Sequence, residues 1–338
     1  MGSHRKSERS FTLDAVYLQT NDAENNEVVA FRRAEDGTLS KLGTYATGGR
    51  GTGKPHLASQ SSVVAGGDRL LVVNAGSDDV SLFAISDDRL ALLGRVASGG
   101  TMPTSIALRD SQVYVLNAGG DANATGFTIV ETLEPTGDTR ALPGADPAQI
   151  GFTPDGSALI VTDRATDALL ELPLAGGDPV RHASSGATPY GFDFTRDGTL
   201  VVTEAFGGTV GAAAASSYGA GLAPVSKSVA NTRSEVCWAA VTKDGRHVFV
   251  TNFGDGTISS YAIAHDGSLE LVDAVAGSTT IGEKGVRDEA LTTDGRYLYA
   301  LDADARKVFG FAVRDDGRLD PVGEIDGLPT TAAGLAAV

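Results

Sequence analysis

Seven polar residues recur along the chain, and each ends a short run rich in β-branched or aromatic residues. Their amide and carboxylate groups could bind a ligand, hold a Ca²⁺ ion through oxygen atoms, or transfer a proton. The seven are Asn21, Asn74, Asn117, Asp163, Glu204, Asn252 and Asp302. If the runs are equivalent strands of one ring, we expect these side chains to gather around a single opening.

Glu204 is the only glutamate of this set. A carboxylate at the mouth of a channel can have a raised pKa and act as a general acid or base, so we predict a catalytic role for it. A salt bridge to Arg164 or Arg233 is the structural alternative. For the set as a whole, the alternative is that Asn and Asp side chains bond to nearby backbone in turns.

The spacing of these residues indicates the elements that position them. The runs end 41 to 53 residues apart, and a period of this length made of strands predicts radial repetition. Seven copies predict an all-β, seven-bladed β-propeller with four strands in each blade. In the sixth unit we place the strands at residues 236–241, 246–252, 257–263 and 268–275. Asp-Gly pairs in the intervening turns are typical of hairpins.

The two ends of the chain do not match the repeated unit. Residues 15–20 resemble a second strand and residues 331–337 a first strand, so we predict that they close the ring within one blade and remove its open edges. Residues 207–215 interrupt the fifth unit, where we expect a long loop in place of the third strand. Residues 11–338 then form one domain, and the polar residues 1–10 are expected to be a disordered lead or a tag remnant.

A second group of candidates lies where the inner strands begin. In a propeller this end of the inner strand is on the same face as the end of the second strand, so both groups should meet at the channel mouth. The second group consists of Gln60, Gln149, Tyr190, Glu235, Arg287 and Glu289. Arg287 could orient an anion, or it could pair with Asp288 or Glu289 in a structural network.

A glycine-rich loop at residues 47–56 contains Gly48, Gly53 and Lys54 at the spacing of a phosphate-binding loop. Pro55 stands where that motif needs Ser or Thr to hold Mg²⁺, and no helix follows, so we reject the motif.

The same loop should lie on the mouth face, because it joins an outer strand to the next inner strand. Its cationic residues Arg50, Lys54 and His56 could attract a carboxylate or a phosphate to an otherwise acidic molecule. A mobile, solvated loop is the alternative interpretation.

Composition limits the classes of partner that the protein can bind. The net charge of -16 argues against binding to nucleic acid or to anionic membrane surfaces, both of which need clustered Lys and Arg. No apolar run approaches membrane-spanning length. The single cysteine, Cys237, excludes an internal disulfide and a cysteine-based zinc site. We expect a monomer that binds a small molecule, with the cytoplasm slightly favoured and an exported form with a trimmed leader left open.

Two stretches of sequence carry a resemblance to a known family. One is residues 231–263, with Cys237-Trp238, Thr242-Lys243-Asp244-Gly245-Arg246 and a YVTN-type repeat around Val250-Thr251-Asn252; the other is residues 72–81. They resemble the lactonase family of seven-bladed propellers, which includes bacterial 6-phosphogluconolactonase and the fungal carboxymuconate lactonising enzyme. The resemblance implies the same fold and chemistry on an internal ester.

The resemblance also implies site residues. Family members with known activity have a glutamate at the position of Glu204. They have a histidine at the head of the fourth inner strand, where Ala148-Gln149 follow Pro147 here. An arginine expected near the fifth inner strand is replaced by Pro189-Tyr190-Gly191.

The leading hypothesis is a lactonase-type hydrolase, or a lactonising cyclase, acting on a small acidic or sugar-derived lactone at the channel mouth. We predict catalytic roles for Glu204, Arg287 and His56. The predicted substrate-binding residues are Arg50, Gln149, Tyr190, Glu235, Asn74, Asn117 and Asn252.

Two alternatives belong to other classes. One is a propeller without catalysis that binds a protein or a small ligand across its mouth. The other is a calcium-dependent lactonase, whose ligands would be Asn117, Asp163, Glu204 and Asp302. Apart from this calcium alternative, no cofactor is expected.

Overall fold

The computed structural model describes residues 14–55, 57–86 and 89–338. The predicted lead at residues 1–10 lies outside this part. The described chain forms 28 strands and two short 3₁₀ helices, Phe206–Gly208 and Ala220–Leu222. Within the described residues, no helix combines the length and apolar character that a membrane crossing requires.

In chain order the strands are β1 (Ala15–Gln19), β2 (Glu27–Arg33), β3 (Leu39–Ala46), β4 (Val63–Gly66), β5 (Arg69–Asn74), β6 (Asp79–Ser86), β7 (Arg89–Ala97), β8 (Thr101–Arg109), β9 (Gln112–Gly119), β10 (Asn123–Ile129), β11 (Leu133–Ala141), β12 (Pro147–Phe152), β13 (Ala158–Asp163), β14 (Ala168–Pro173), β15 (Val180–Ala183), β16 (Pro189–Phe194), β17 (Leu200–Glu204), β18 (Ala214–Tyr218), β19 (Pro224–Ala230), β20 (Val236–Val241), β21 (His247–Asn252), β22 (Thr257–Ile263), β23 (Leu269–Ser278), β24 (Val286–Leu291), β25 (Tyr297–Asp302), β26 (Lys307–Val313), β27 (Leu319–Ile325) and β28 (Ala333–Ala337).

These strands form seven four-stranded antiparallel sheets, the blades of the predicted propeller. Blades two to seven each use four consecutive strands, from β4–β7 to β24–β27. The first blade has the order β28-β1-β2-β3, so its inner strand comes from the C-terminal end of the chain. Tyr17 pairs with Ala336 in this closure. The prediction of a seven-bladed ring closed by both ends is therefore confirmed.

The sixth blade shows how the sequence specifies its strands. β20 and β22 have the predicted bounds, and β21 and β23 differ from them by one to three residues. At the turn before β21, the Asp244 carboxylate accepts hydrogen bonds from Thr242 Oγ1 (2.7 Å) and the backbone N–H of Arg246 (3.1 Å). Gly245 follows with φ +72°, a conformation that suits glycine, and Asp-Gly pairs turn the hairpin as predicted.

The fifth blade corrects one prediction. Its third strand is present as β18 and pairs with β17 from Glu204↔Ala214 to Leu200↔Tyr218. Every residue of β18 is buried. The sequence Ala-Ala-Ser-Ser lacks the bulky apolar residues that predict a strand. Small side chains suit this strand because it is enclosed on both faces, where backbone pairing decides its conformation.

The core lies between the blades. Between the fifth and sixth blades, for example, Val201 and Ala215 pack with Val236, Val250 and Tyr261, all fully buried. Burying large apolar side chains between rigid sheets contributes about 1.5–3 kcal/mol for each. This packing holds the inner strands in place around the axial channel.

A chain segment crosses the channel. The Gln60 amide donates to the backbone carbonyl of Ala239 (2.8 Å) and accepts from its N–H (3.2 Å), which joins the second and sixth blades. Ser59 donates to the carbonyl of Ala148 in the fourth blade, and Ser105 in the third blade donates to the carbonyl of Gln60 (2.7 Å). Residues 57–61 therefore separate a mouth cavity from a far-face cavity.

Candidate functional site

The mouth cavity has a volume of about 630 Å³ and lies on the face where the inner strands begin. Its walls come from the heads of β16, β20 and β24 and from residues that directly follow β13, β17 and β21. The lining residues are Asp146, Arg164, Thr188, Tyr190, Ala205, Gly207, Gly208, Glu235, Cys237, Phe253 and Arg287.

One wall holds an arginine stacked on a tyrosine. The Arg164 guanidinium lies 4.9 Å from the centre of the Tyr190 ring, and its Nη2 donates to Asp146 at 2.6 Å. Trp238 also packs against Tyr190, with a ring centre 4.9 Å from that of Tyr190 and the two ring planes tilted by 53°. Burial raises the pKa of the Tyr190 phenol, so its hydroxyl stays neutral. The stack fixes the plane of the guanidinium.

The opposite wall repeats the arrangement. Arg287 has a side chain only 9% exposed, its guanidinium lies 5.0 Å from the centre of the Phe253 ring, and its Nη2 donates to Asp304 at 2.8 Å. Within the described residues, Arg287 Nε has no hydrogen-bond partner. Lys284 also approaches Phe253 and binds Glu235 at 2.6 Å.

The electrostatics of the mouth cavity are balanced. Its two lining cations, Arg164 and Arg287, pair with Asp146 and Asp304. The lining carboxylate Glu235 pairs with Lys284. A guanidinium has five N–H donors, and one carboxylate does not use them all. Both arginines can therefore still donate to an anionic or carbonyl oxygen, with their orientation already fixed.

The structure brings three predicted residues together in this cavity: Tyr190, Glu235 and Arg287. Arg50 is exposed and is not among the lining residues. Gln149 faces the far side of the channel, and its amide is used by the backbone of Phe192, through bonds of 2.7 and 2.9 Å. His56 lies outside the described residues.

The prediction that the strand-end residues gather around the opening is wrong. All seven are at most 1% exposed. Asn252 shows the general arrangement: its amide donates to Thr257 (3.1 Å) and Ser259 (2.9 Å) on the next strand and accepts from Asn231 (2.9 Å), which leads in from the preceding blade. Asn74 and Asn117 are likewise enclosed by hydrogen bonds of their own blades. These side chains join strands and blades together.

Glu204 belongs to this structural set. Its carboxylate accepts from the N–H of Gly186 (2.7 Å), from Ser216 Oγ (2.5 Å) and from Ser228 Oγ (2.6 Å). Burial raises the pKa of Glu204, and these hydrogen bonds oppose the rise. The residue is fully buried and does not line the mouth cavity. The structure therefore gives it no access to a substrate in that cavity.

The alternative calcium site does not form from the predicted ligands. Asn117, Asp163, Glu204 and Asp302 lie in four different blades. Asp302, for example, already accepts from Thr279 (2.7 Å) and Thr280 (2.8 Å). Across the described ranges, no three His, Cys, Asp or Glu side chains come together as a metal site would require.

Sequence reasoning missed eight of the eleven lining residues, among them Arg164, Asp146, Phe253 and Cys237. A signal was available for two of them. Side chains alternate between faces along an extended chain. Arg164 and Phe253 each follow a strand-end residue by one position, and they face the cavity when that residue faces the blade. Cys237 has a packing role. Its burial raises the pKa of its thiol to about 12, so the thiol stays protonated.

A closed ring of seven four-stranded blades around an axial channel defines the class of seven-bladed β-propellers. The chain belongs to the family described as Lactonase, 7-bladed beta-propeller, whose model matches residues 16–132 and 202–333. No curated protein matches the sequence.

Solved structures agree with the fold. A Bacteroides fragilis protein provisionally named 6-phosphogluconolactonase is 19% identical with a TM-score of 0.75, covering 98% of this chain and 100% of its own. A Bacteroides uniformis protein with the same provisional name is 21% identical with a TM-score of 0.71, covering 95% and 98%. The periplasmic gluconolactonase of Pseudomonas aeruginosa is 16% identical with a TM-score of 0.74, covering 97% and 100%.

Proposed function

We propose that the protein is a lactonase-type hydrolase that binds a small anionic lactone in the mouth cavity. The observation that carries this proposal is the pair of arginines, Arg164 and Arg287, each held against an aromatic ring and facing one cavity. Membership of the lactonase family supports the reaction class. The names of the neighbouring structures favour a sugar-acid lactone, which a cavity of about 630 Å³ can accommodate.

Each lining residue then has a role. Arg164 binds the anionic group of the substrate and Tyr190 supports it from below. Arg287 donates to the lactone carbonyl oxygen, where negative charge develops in the transition state. Asp146 and Glu235 are the two lining carboxylates, and each directly precedes an inner strand. Asp146 holds Arg164, whereas the oxygens of Glu235 can accept from water in addition to Lys284.

The reaction proceeds in two steps. Glu235 accepts a proton from a water molecule as the water oxygen attacks the carbonyl carbon, and Arg287 stabilises the resulting oxyanion. Collapse of this intermediate breaks the acyl carbon–oxygen bond of the ring. The ring oxygen takes the proton from Glu235 and leaves as a hydroxyl group, so that lactone and water give one hydroxy acid.

The test is hydrolysis of 6-phosphoglucono-δ-lactone and of glucono-δ-lactone, its uncharged counterpart, measured by acid release above the spontaneous rate. We expect wild type to prefer the phosphorylated lactone. We expect Arg287→Met and Glu235→Gln each to lower kcat/KM by about 100-fold or more. Glu204→Gln is the matched control, because it neutralises a buried carboxylate outside the cavity. Equal loss in all three variants, or no turnover by wild type, would contradict the proposal.

A second candidate function is ligand binding without catalysis. Every carboxylate of the mouth cavity is already ion-paired, which holds Glu235 in a resting arrangement. Calorimetric titration with the hydroxy acid separates the two functions. Saturable binding that Arg287→Met abolishes, with no turnover of any lactone, would favour the binding module.

A further inference from the structure

The far-face cavity contains an acid without a partner. This cavity, of about 640 Å³, lies at the other end of the channel below residues 57–61. Glu289, on β24, lines it and is 3% exposed. Neither of its carboxylate oxygens has a hydrogen-bond partner within the described residues. Buried polar groups in proteins are almost always paired, so this side chain requires an explanation.

The neighbouring acids differ from Glu289. Asp193 accepts from the N–H groups of Phe194 and Val241, both at 2.8 Å. Asp288 accepts from the N–H of Glu289 at 2.9 Å. Burial raises the pKa of Glu289, and the charges of Asp288 and Asp193 raise it further. A buried carboxylate beside two others is stable only with a proton or with a nearby positive charge.

No cationic side chain of the described residues is ion-paired with Glu289. Lys243 lines the same cavity, but its Nζ donates to the backbone carbonyl of Thr293 at 2.6 Å. The amides of Gln60 and Gln149 are used by the backbone of the inner strands. Asp193 also lines the cavity, and its two oxygens keep unused lone pairs that can accept further contacts.

We propose that Glu289 and Asp193 hold a hydrated divalent cation in the far-face cavity. Small divalent cations such as Mg²⁺ and Mn²⁺ keep several water ligands and bind through one or two carboxylates. Asp193 and Glu289 supply two carboxylates to the lining of one cavity, which matches this requirement. Because the described residues contain no group of three or more acidic, His or Cys ligands, the site does not resemble an all-protein cage.

Titration with Mn²⁺, followed by the loss of its free electron-spin resonance signal, tests this site. We expect one saturable ion per chain and an affinity at least about tenfold weaker in Glu289→Gln and in Asp193→Asn. Glu131→Gln is the matched control: it removes the same charge from an exposed position and should bind as wild type does. Paramagnetic broadening in wild type locates the ion without any variant, and it should affect Ala290 strongly and Phe253 weakly.

Three results would overturn the proposal. One is the absence of saturable binding up to about 1 mM Mn²⁺. Another is equal affinity in wild type and Glu289→Gln when both are folded by circular dichroism. The last is an infrared band of a neutral carboxyl group that is lost in Glu289→Gln but persists when Mn²⁺ is added to wild type. Such a band would show that a proton neutralises the buried acid.

Discussion

Two neighbouring positions in the blades have opposite roles. The residue that ends the second strand is buried and joins the blade to the chain arriving from the preceding blade. In the fourth, fifth and sixth blades the next residue lines the mouth cavity: Arg164 after Asp163, Ala205 after Glu204 and Phe253 after Asn252. Because side chains alternate along an extended chain, a shift of one residue separates the structural set from the lining of the cavity.

The buried set is expected to matter for stability. Replacing Glu204 with Ala leaves the N–H of Gly186 and the hydroxyls of Ser216 and Ser228 without their acceptor. We expect the free energy of unfolding to fall by about 3 kcal/mol, measured by urea denaturation, because the loss includes hydrogen bonds to a charged group. The folded fraction should keep its specific activity. A Glu204→Ala variant with normal stability but without activity would show that Glu204 serves catalysis and not stability.

The position after a strand end is expected to matter for binding. Arg164→Met keeps an apolar side chain over Tyr190 but loses the charge. We expect kcat/KM for an anionic lactone to fall by about 100-fold, since hydrogen bonds between charged groups contribute about 1.5–3 kcal/mol. Steady-state kinetics measure this, with the exposed Arg196→Met as control. An equal fall for an uncharged lactone would show that Arg164 does not recognise the anion.

The raised pKa of Glu204 predicts a pH dependence of stability. A carboxyl group whose pKa is higher in the folded state binds protons more tightly there, so its contribution to stability is present below its ordinary pKa of 4.5 and is lost as the pH rises through the folded-state value. The stability of wild type relative to Glu204→Gln should therefore decrease as the pH rises above that ordinary value. If the free energies of unfolding of the two proteins, measured by urea denaturation, change with pH in parallel, the prediction is contradicted.

The smallest expected effect concerns the aromatic support of the second arginine. Phe253→Leu removes the ring beneath Arg287 but keeps an apolar side chain. We expect binding of the hydroxy acid to weaken by about 1 kcal/mol, the size of a partly buried cation–π contact, when measured by calorimetry. The free energy of unfolding should fall less in Phe253→Leu than in Asn252→Ala, which changes the preceding residue. The reverse order would remove the distinction between the two positions.

The repeat made the fold predictable. Strand runs, Asp-Gly turns and mismatched ends depend on local patterns, and they located the sixth blade to within three residues at every strand end. The small residues of β18 lacked such a pattern because tertiary enclosure decides that strand.

The site was harder to predict. The inner-strand heads Tyr190, Glu235 and Arg287 followed from topology. Predicting Arg164 requires knowing toward which face the residue at each strand end points. That face depends on the register of pairing, which the composition of a run does not determine. The crossing of the channel by Gln60 joins residues 179 positions apart, and no local signal announces such a contact.

The residues that match the family model form only part of the mouth cavity. It includes Glu235, Phe253 and Arg287 but not residues 133–201, which supply Arg164 and Tyr190. The fourth and fifth blades are also where the expected histidine and arginine are replaced. We therefore expect the seventh-blade side of the cavity to hold the reacting ester and the fourth-blade side to select the substrate.

A crystal structure with the hydroxy-acid product bound tests the central claim most directly. The account predicts density in the mouth cavity, with the acidic groups of the product within hydrogen-bonding distance of Arg164 and Arg287, and no movement of Glu204. Product bound beside Glu204, or held elsewhere while the mouth cavity contains only water, would contradict it.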